Sequence, residues 1–466
     1  MVDDAVLLFT PEELSELVKH PGDKAFDALD RGEYDSAKEV CRQYENCHKE
    51  STHDIYVAWN AQTLSYVYRE FGLSIFREFL RESIAPWFRP IAELFRNGIS
   101  KEAVSYLAQL CRVDCGEFGL VTEDADKITF VMDPCGSGGR LVQEGHYSDS
   151  VQQPLSVLED ADVLTEGRRD FPIYCTSCKM AEILMIEWLG YPAFVLDCHP
   201  EKGIPSLLTI YKDPDKIPME YFSRVGQDRN ASRISGAVSV AGGLLFTPQE
   251  RKDLMLQYSK RAIAAMDNGD MDLAKGYCRS SKNEWHPLHH IYRDWITGQL
   301  SFVYRNYGVE KVYDAVCKCY LKLIEDNLLV AGKALDIKKQ VELLSLAFTQ
   351  HAMHFRIEED VDKFAFIAQP CGSGGRLIDE KAYEFPKNFA RIKEAHKVGC
   401  FLNDFPIYCV HCPVTNELIF RKGGPYLLIV DGDRMKTWEN GCIFYIFKNP
   451  NAIPERLYEQ VGMKKP

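Results

Sequence analysis

The octapeptide PCGSGGRL occurs twice in this chain, at residues 134–141 and again at residues 370–377. Other segments also recur in the same order and at a nearly constant offset. They are LLFTP (7–11 and 244–248), DFPIYC (170–175 and 404–409) and the stretches that begin with His53 and His289. Repetition in a fixed order is typical of a duplicated structural unit. We therefore predict a tandem duplication whose two copies form a pseudo-dimer within one chain.

The hydrophobic period changes within each copy. In the first part of copy one, Ile55, Trp59 and Tyr66 recur at near-helical spacing, which predicts an amphipathic helix. In the second part, short apolar runs bounded by Pro, Gly and Asp predict strands. These runs are ITFVM (128–132), FPIYC (171–175), AFVLDC (193–198) and LLTIY (207–211), with a helix expected at KMAEILMIEWLG (179–190). The predicted fold class is α+β, with each repeat a helical bundle followed by a small mixed α/β domain carrying a Cys-rich site.

The predicted domain boundaries follow from the repeat and from the change in period. The helical halves are residues 1–118 and 244–354, the α+β halves with the cysteine sites are 119–226 and 355–466, and the linker is 227–243. The linker sequence is polar at first and then rich in small residues, which is typical of a flexible connection.

The composition is that of a globular protein, with 46% hydrophobic and 26% charged residues. The formal net charge of −13 opposes binding to nucleic acids or anionic membranes. The longest nearly apolar run, residues 236–246, is too short to span a bilayer, and MVDDAVLL at the N-terminus lacks the basic region of a secretory signal. We therefore expect a cytoplasmic protein with no nucleic-acid or membrane partner. Among its 16 cysteines, those at short fixed spacing indicate metal or redox chemistry rather than disulfides, and several others are expected to be buried as small apolar side chains.

Each PCGSGGRL segment follows a predicted strand, so its glycines allow backbone N–H groups to approach a ligand closely. Successive amides in such a turn bind anions, and a cysteine among them is expected to be more thiolate. The residues predicted to bind a small anionic ligand there are Ser137, Arg140, Ser373 and Arg376. The loop locally resembles the cysteine loops of rhodanese-type sulfurtransferases, in which a persulfide lies in a ring of amides. The residues that follow, LVQEGHYSDS, depart from the helix that those enzymes have at this point.

A second motif, C-x-x-C, pairs Cys175 with Cys178 in copy one and Cys409 with Cys412 in copy two. Two thiolates at this spacing bind one metal ion, at about 2.3 Å if the ion is zinc. A redox pair and an inert pair of buried cysteines are the alternatives. The spacing favours the metal.

The PCGSGGRL cysteine supplies a third thiolate in each copy, and alignment of the copies places Cys115 opposite His351 as the fourth ligand. The predicted metal ligands are therefore Cys135, Cys175, Cys178 and Cys115 in copy one, and Cys371, Cys409, Cys412 and His351 in copy two. His146 and His354 are rivals for the fourth position. The predicted cofactor is zinc, with iron or an iron–sulfur cluster as the other inorganic possibility. A site with only three protein ligands would have an open, catalytic position.

His53 and Tyr56 lie three residues apart on a predicted helix, as do His289 and Tyr292. The spacing places each pair on one helix face. His53 and His289 are predicted to act as a general acid or base, and the alternative is a buried histidine between packed helices.

Three functions are compatible with these motifs. The first is a metal-assisted hydrolase or lyase acting on a small anionic or sulfur-containing substrate. The second is a non-enzymatic protein in which zinc staples the fold and the helical halves bind other proteins. The third is a metal-free thiol or persulfide sulfurtransferase that uses Cys135 and Cys371. The sequence leaves open whether the protein is an enzyme.

Overall fold

The computed structural model describes residues 7–199, 204–229, 243–432 and 441–466. Most of the predicted linker, residues 230–242, lies outside this described part. The structure is 56% helical and carries small antiparallel sheets, which confirms the α+β class. The chain divides into two compact units. Unit 1 comprises Met1–Trp59, Ala262–Lys282 and Ile296–Pro466, and unit 2 comprises Asn60–Arg261 and Asn283–Trp295.

The secondary structure follows the chain in this order. The helices before the linker are α1 (Pro11–Leu17), α2 (Pro21–Asp30), α3 (Tyr34–His48), α4 (Asp54–Glu93), α5 (Lys101–Val113), α6 (Gly138–Gln143), α7 (Thr176–Leu189) and α8 (Glu220–Ser223). Those after it are α9 (Pro248–Met255), α10 (Tyr258–Asp267), α11 (Met271–Ser281), α12 (His286–Cys319), α13 (Leu321–Ile324), α14 (Val330–Ala334), α15 (Ile337–Gln350), α16 (Gly374–Asp379), α17 (His411–Lys422) and α18 (Glu455–Glu459). The strands are β1 (Phe118–Glu123), β2 (Lys127–Met132), β3 (Val157–Leu158), β4 (Phe171–Pro172), β5 (Val195–Asp197), β6 (Ser206–Tyr211), β7 (Phe355–Glu359), β8 (Lys363–Ala368), β9 (Arg391–Ile392), β10 (Phe405–Pro406), β11 (Ile429–Val430) and β12 (Cys442–Phe447).

The LLFTP segments each begin a helix and attach it to a sheet. In unit 1, the Thr10 side chain accepts the N–H of Glu13, and the Glu13 carboxylate accepts the N–H of Thr10, which caps α1. The N–H groups of Leu8 and Phe9 donate to the carboxylate of Glu359 on β7, at 2.7 and 3.1 Å. The same contacts recur in unit 2 at the start of α9, between Thr247, Glu250, Glu123 and the N–H groups of Leu245 and Phe246.

A four-stranded antiparallel sheet positions the candidate site in each unit. The strand order is β1-β2-β6-β5 in unit 2 and β11-β12-β8-β7 in unit 1. Ile128 and Phe130 alternate with less buried residues along β2, as expected for a strand with one face on the core. The register pairs Met132 with Ser206 at one end of the first sheet, and Ala368 with Cys442 at the corresponding end of the second. The PCGSGGRL segments leave their sheets at these ends.

The strand predicted for FPIYC is wrong beyond its first two residues. Phe171–Pro172 form β4, and the chain then turns through a 3-10 helix, Ile173–Cys175, into α7. Pro172 has no N–H to donate, so the strand pairing ends there. The helix predicted for residues 179–190 is confirmed as α7, and Gly190 ends it in a left-handed conformation. The other strands predicted in copy one are confirmed as β2, β5 and β6.

Two long helices, α4 and α12, each contain one non-helical residue. The φ angles of Gly72 and Gly308 are 77° and 79°, values that glycine adopts without a side-chain clash, so each helix changes direction there. The division between the units also falls within these two helices. In the described part of the chain, no helix combines the length and the apolar character needed to cross a membrane.

Candidate functional site

The glycines of PCGSGGRL are required by close backbone contacts. A Cβ on Gly136 would lie 1.4 Å from the carbonyl oxygen of Asp114, and a Cβ on Gly372 would lie 1.5 Å from that of His351. No side chain fits at either position. The loop after each sheet is therefore held directly against the backbone at the C-terminal end of α5 in unit 2 and of α15 in unit 1.

The next glycines bring the loop cysteine beside the C-x-x-C motif. A Cβ on Gly374 would lie 2.4 Å from Cys409 Sγ and 4.0 Å from Cys371 Sγ, so the two sulfurs face each other across this glycine. In unit 2, a Cβ on Gly138 would lie 2.8 Å from Cys175 Sγ. The PCGSGGRL cysteine therefore lies near the first cysteine of the C-x-x-C motif within each unit.

Backbone amides surround the loop cysteine. The N–H of Gly139 donates to Cys135 Sγ at 3.0 Å, and the N–H of Gly375 donates to Cys371 Sγ at 2.9 Å. These donors come from the first turn of α6 and of α16, short helices that the sequence reading did not include. A sulfur that accepts N–H groups is stabilised as a thiolate.

A further cysteine, which the sequence reading missed, joins each group. In unit 2, Cys198 packs with Cys175 and Phe171 in one buried cluster, against which Cys178 also packs. In unit 1, Cys442 and Cys371 share a hydrogen bond. Each unit therefore brings four cysteines together, and Cys175, Cys198, Cys371, Cys409 and Cys442 are buried. Cys111 also lies near Cys135 in unit 2, and Cys400 lies near Cys409 and Cys412 in unit 1.

The thiols of unit 1 do not ionise alike. A hydrogen bond from Cys442 and the N–H groups of the loop lower the pKa of Cys371 to about 7, against the effect of burial. Burial and the neighbouring sulfurs raise the pKa values of Cys409 and Cys412. The hydrogen bond with Cys371 and burial do the same for Cys442. The loop cysteine is therefore the thiol of this group that ionises first.

In unit 2, Cys198 is the cysteine of the group whose pKa is lowered. A hydrogen bond from Cys178 and the charge of Lys179 lower the pKa of Cys198, although burial opposes this. Burial and the charges of Asp114 and Cys198 raise the pKa of Cys135 to about 12, and the amide donors do not compensate for these effects. Lys179 is fully buried and pairs with Glu166 and Glu182. A buried cation thus lies beside this cysteine group.

Lys179→Met is expected to lower the free energy of unfolding by about 2 kcal/mol, since Glu166 and Glu182 lose one of the two cations that they share and keep only Arg224 in common. Urea unfolding of the variant and the wild type measures the difference. Lys216→Met is the control, because Lys216 is exposed and pairs with the exposed Asp126, so little change is expected. Equal midpoints for the two variants would contradict a stabilising role for Lys179.

Hydroxyl groups extend each cysteine site. In unit 1, Tyr56 Oη lies 2.9 Å from Tyr408 Oη and 3.2 Å from Ser373 Oγ. In unit 2, the hydroxyl of Tyr292 donates to Asp114 at 2.7 Å, and Ser137 donates to the same carboxylate at 3.4 Å. Tyr56 and Tyr292 are the tyrosines that the helix pattern pairs with His53 and His289. Both tyrosines make hydrogen bonds at the sites through their hydroxyl groups.

A cavity of about 130 Å³ adjoins the cysteines of unit 1, and it is lined by Cys371, Cys409, Cys412 and Cys442 together with His351, His411 and aromatic residues. His411 Nδ1 lies 2.7 Å from the carbonyl oxygen of Tyr408, which only accepts, so Nδ1 carries the proton. His411 Nε2 is then an acceptor, 3.5 Å from Cys412 Sγ. Burial lowers the pKa values of His351 and His411 to about 4, so both rings are neutral at pH 7.

The remaining predicted site residues lie as follows. Cys115 donates its thiol to the carbonyl oxygen of Val113 at 3.5 Å. Arg140 pairs with Glu144 at 2.8 Å, and Arg376 donates to the carbonyl oxygen of Ala352 at 2.9 Å. His53 is fully buried in unit 1, with Nδ1 2.8 Å from Asp54 Oδ1, and His289 is fully buried in unit 2 among aromatic rings.

The cysteines are not spaced around a common centre. In the ranges that the structure describes, no three His, Cys, Asp or Glu side chains form a group with the spacing of a metal site. The donor set nevertheless fits a soft metal ion in type and number, because zinc and iron–sulfur sites use four thiolates. Cys198 and Cys442, which pack among the other cysteines, complete four sulfur donors in each unit.

Comparison of the chain with protein-family models, with curated proteins and with solved structures found no match. The chemistry of the residues at the site is therefore the basis on which a function is assigned below.

Proposed function

We propose that the chain is a zinc-binding protein formed by tandem duplication, with a four-cysteine site in each unit. The ligands would be Cys135, Cys175, Cys178 and Cys198 in unit 2, and Cys371, Cys409, Cys412 and Cys442 in unit 1. The observation that carries this proposal is the convergence of four cysteines on the end of each sheet. Iron is the alternative metal for the same ligands.

Electrostatics supports a cation at these positions. Several ionised thiols buried side by side repel one another, and burial of unpaired charge is costly, so without a cation most of the thiols stay neutral. The raised pKa values of Cys175, Cys178, Cys409 and Cys412 are consistent with this. A divalent ion would offset the negative charge, and the N–H donors to Cys135 and Cys371 would stabilise bound thiolates further.

Four thiolate ligands leave no open coordination position, so the bound ion would stabilise the fold rather than activate water. We therefore favour the zinc-stapled protein over the hydrolase or lyase. Cys198 and Cys442 are preferred to Cys115 and His351 as the fourth ligands, because they pack against the other cysteines. The domain boundaries and the two repeats predicted from the sequence remain part of this proposal.

A second candidate is thiol or persulfide chemistry at Cys371. It is favoured by the amide donors around that sulfur and by the cavity that Cys371 lines. This candidate predicts rapid and selective alkylation of Cys371 in metal-free protein. The zinc protein is favoured because Cys371 has three further cysteines around it, whereas a single thiol nucleophile requires none.

The metal content of protein purified without oxygen or chelator tests the proposal. We expect close to two zinc ions per chain and a featureless visible spectrum, with loss of folded structure when a strong chelator is added. Iron with acid-labile sulfide and a visible absorption band would replace zinc by a cluster. Folded protein free of any metal would overturn the proposal and leave thiol chemistry as the function to examine.

A further inference from the structure

We infer that unit 1 binds a neutral, mostly apolar small molecule whose single polar group points toward the cysteines. This inference deepens the proposed function and rests on it, because the cysteine site forms the inner end of the binding cavity. Nothing in the sequence motifs indicates such a ligand. Three observations on the lining residues carry the inference.

The first observation is a larger cavity of about 300 Å³ next to the cysteine cavity. Its wall is formed mainly by apolar side chains, which include Ile55, Trp59, Ile324, Leu335, Leu344 and Leu427. The two cavities share Tyr320, Phe348, His351, Tyr408, His411 and Leu428, so they meet at this set of residues. The size and the apolar lining are those of a small-molecule site.

The second observation concerns the charge of the side chains that line the larger cavity. Among the described residues that line either cavity, there is no Asp, Glu, Lys or Arg. The Arg376 side chain donates to the carbonyl oxygen of Ala352 and does not line either cavity. The described residues that line the larger cavity include no cysteine either. A charged ligand group held there would lose its hydration without gaining a counter-charge, so the lining favours a neutral ligand.

The third observation is the polar character of the inner end. Tyr408 and His411 line both cavities, and Tyr56, which lines the larger one, has its hydroxyl 2.9 Å from that of Tyr408. Hydroxyl groups both donate and accept hydrogen bonds. They match an uncharged hydroxyl or carbonyl group of a ligand. The ligand class is therefore an aromatic or branched aliphatic molecule that carries one such group.

Calorimetric titration with three probes of equal size tests the inference on the full chain. The probes are 2-phenylethanol, which is neutral, phenylacetate, which is anionic, and 2-phenylethylamine, which is cationic at pH 7. We expect 2-phenylethanol to bind with a Kd of about 1 mM or below, and the charged probes at least tenfold more weakly. Equal or tighter binding of either charged probe would overturn the inference.

A pair of variants on α15 locates the binding. Ala347 lines the larger cavity, so Ala347→Phe is expected to fill it and weaken 2-phenylethanol binding at least tenfold. Leu346→Phe is the matched control, because Leu346 lies one residue away and lines a different groove, so binding should persist. Leu344→Ala is a second probe should Ala347→Phe not fold, since enlarging the cavity is expected to favour 3-phenylpropanol over 2-phenylethanol. Unchanged binding in both cavity variants would contradict the assignment.

Zinc content, measured on the same samples, separates the two proposals. Two zinc ions per chain without 2-phenylethanol binding would overturn the ligand inference alone. Saturable binding that Ala347→Phe abolishes, in protein without metal, would overturn the zinc proposal and retain the neutral ligand.

Discussion

Cys442→Ser is expected to lower the zinc content from two ions per chain to one. A zinc ligand must lose its proton, and a serine hydroxyl does not do so at neutral pH, so unit 1 would retain three thiolates and bind the ion weakly. Cys198→Ser is expected to remove the ion of unit 2, and the double variant should hold neither. Elemental analysis after removal of loosely bound metal gives the stoichiometry.

Cys317→Ser serves as the control for this series. Cys317 is half-buried on α12, beside Tyr313, and it belongs to neither cysteine group, so two zinc ions should remain. Loss of zinc in a different set of variants would identify other fourth ligands. If Cys442→Ser and Cys198→Ser kept two ions while Cys115→Ser and His351→Ala each lost one, the fourth ligands would be those that alignment of the copies predicts.

Gly372→Ala is expected to lower the free energy of unfolding by on the order of 4 kcal/mol. The new methyl group would lie 1.5 Å from the carbonyl oxygen of His351 and 2.6 Å from its carbon. Both are backbone atoms, which cannot rotate away as a side chain would. The loop would have to move from the end of α15, and this movement would carry Cys371 away from Cys409. Urea unfolding measures the loss, and zinc content should fall with it.

Gly276→Ala is the matched control for this substitution. Gly276 lies within α11, and a Cβ there would have no other atom within 4 Å. Alanine in a helix is more favourable than glycine by about 0.5–1 kcal/mol, so this variant should be slightly more stable than the wild type. Unfolding of Gly372→Ala at the same urea concentration as Gly276→Ala would contradict the close contact between Gly372 and the backbone of His351.

The association of Cys135 and Cys371 with the C-x-x-C motifs could be predicted from the sequence because each of these cysteines recurs at a similar distance from its motif in the two repeats. A strand followed by a glycine-rich turn places the loop cysteine, and a spacing of three residues holds Cys175 and Cys178 together. Cys198 and Cys442 could not be found in the same way. Strand pairing brings each of them to the end of its sheet, and sequence spacing does not encode strand pairing.

Alignment of the two repeated sequences does not place Cys198 opposite Cys442. Cys442 begins β12, where Ser206 begins β6 in the other unit, whereas Cys198 follows β5. The N–H of His199 donates to Ser206 Oγ at 3.4 Å, so the neighbour of Cys198 lies against Ser206. Cys198 therefore lies at the end of its sheet that corresponds to the position of Cys442. It follows the strand next to β6, and β6 is the strand that the alignment matches with β12.

The contacts of Tyr56 and Tyr292 show a second limit of sequence patterns. Helical spacing predicts that each tyrosine shares a face with a histidine, but it does not identify what that face packs against. In the structure, Tyr56 contacts Ser373 within unit 1, and Tyr292 contacts Asp114 within unit 2. The partners are far apart in the sequence in both cases. Long-range packing of this kind depends on the whole unit and not on a local motif.

Each unit combines segments that are far apart in the sequence, and this determines when the unit can fold during synthesis. During translation the N-terminal part of the chain emerges from the ribosome first, and domains generally fold in the order in which they emerge. Unit 2 becomes complete only when residues 283–295 have emerged, and unit 1 only when residues 296–466 have done so. Ala25, Ala28 and Leu29 are synthesised early, yet they pack in one core with Ala262 and Cys278. Neither half of the chain would therefore fold fully when synthesised alone, and both units should appear late in translation.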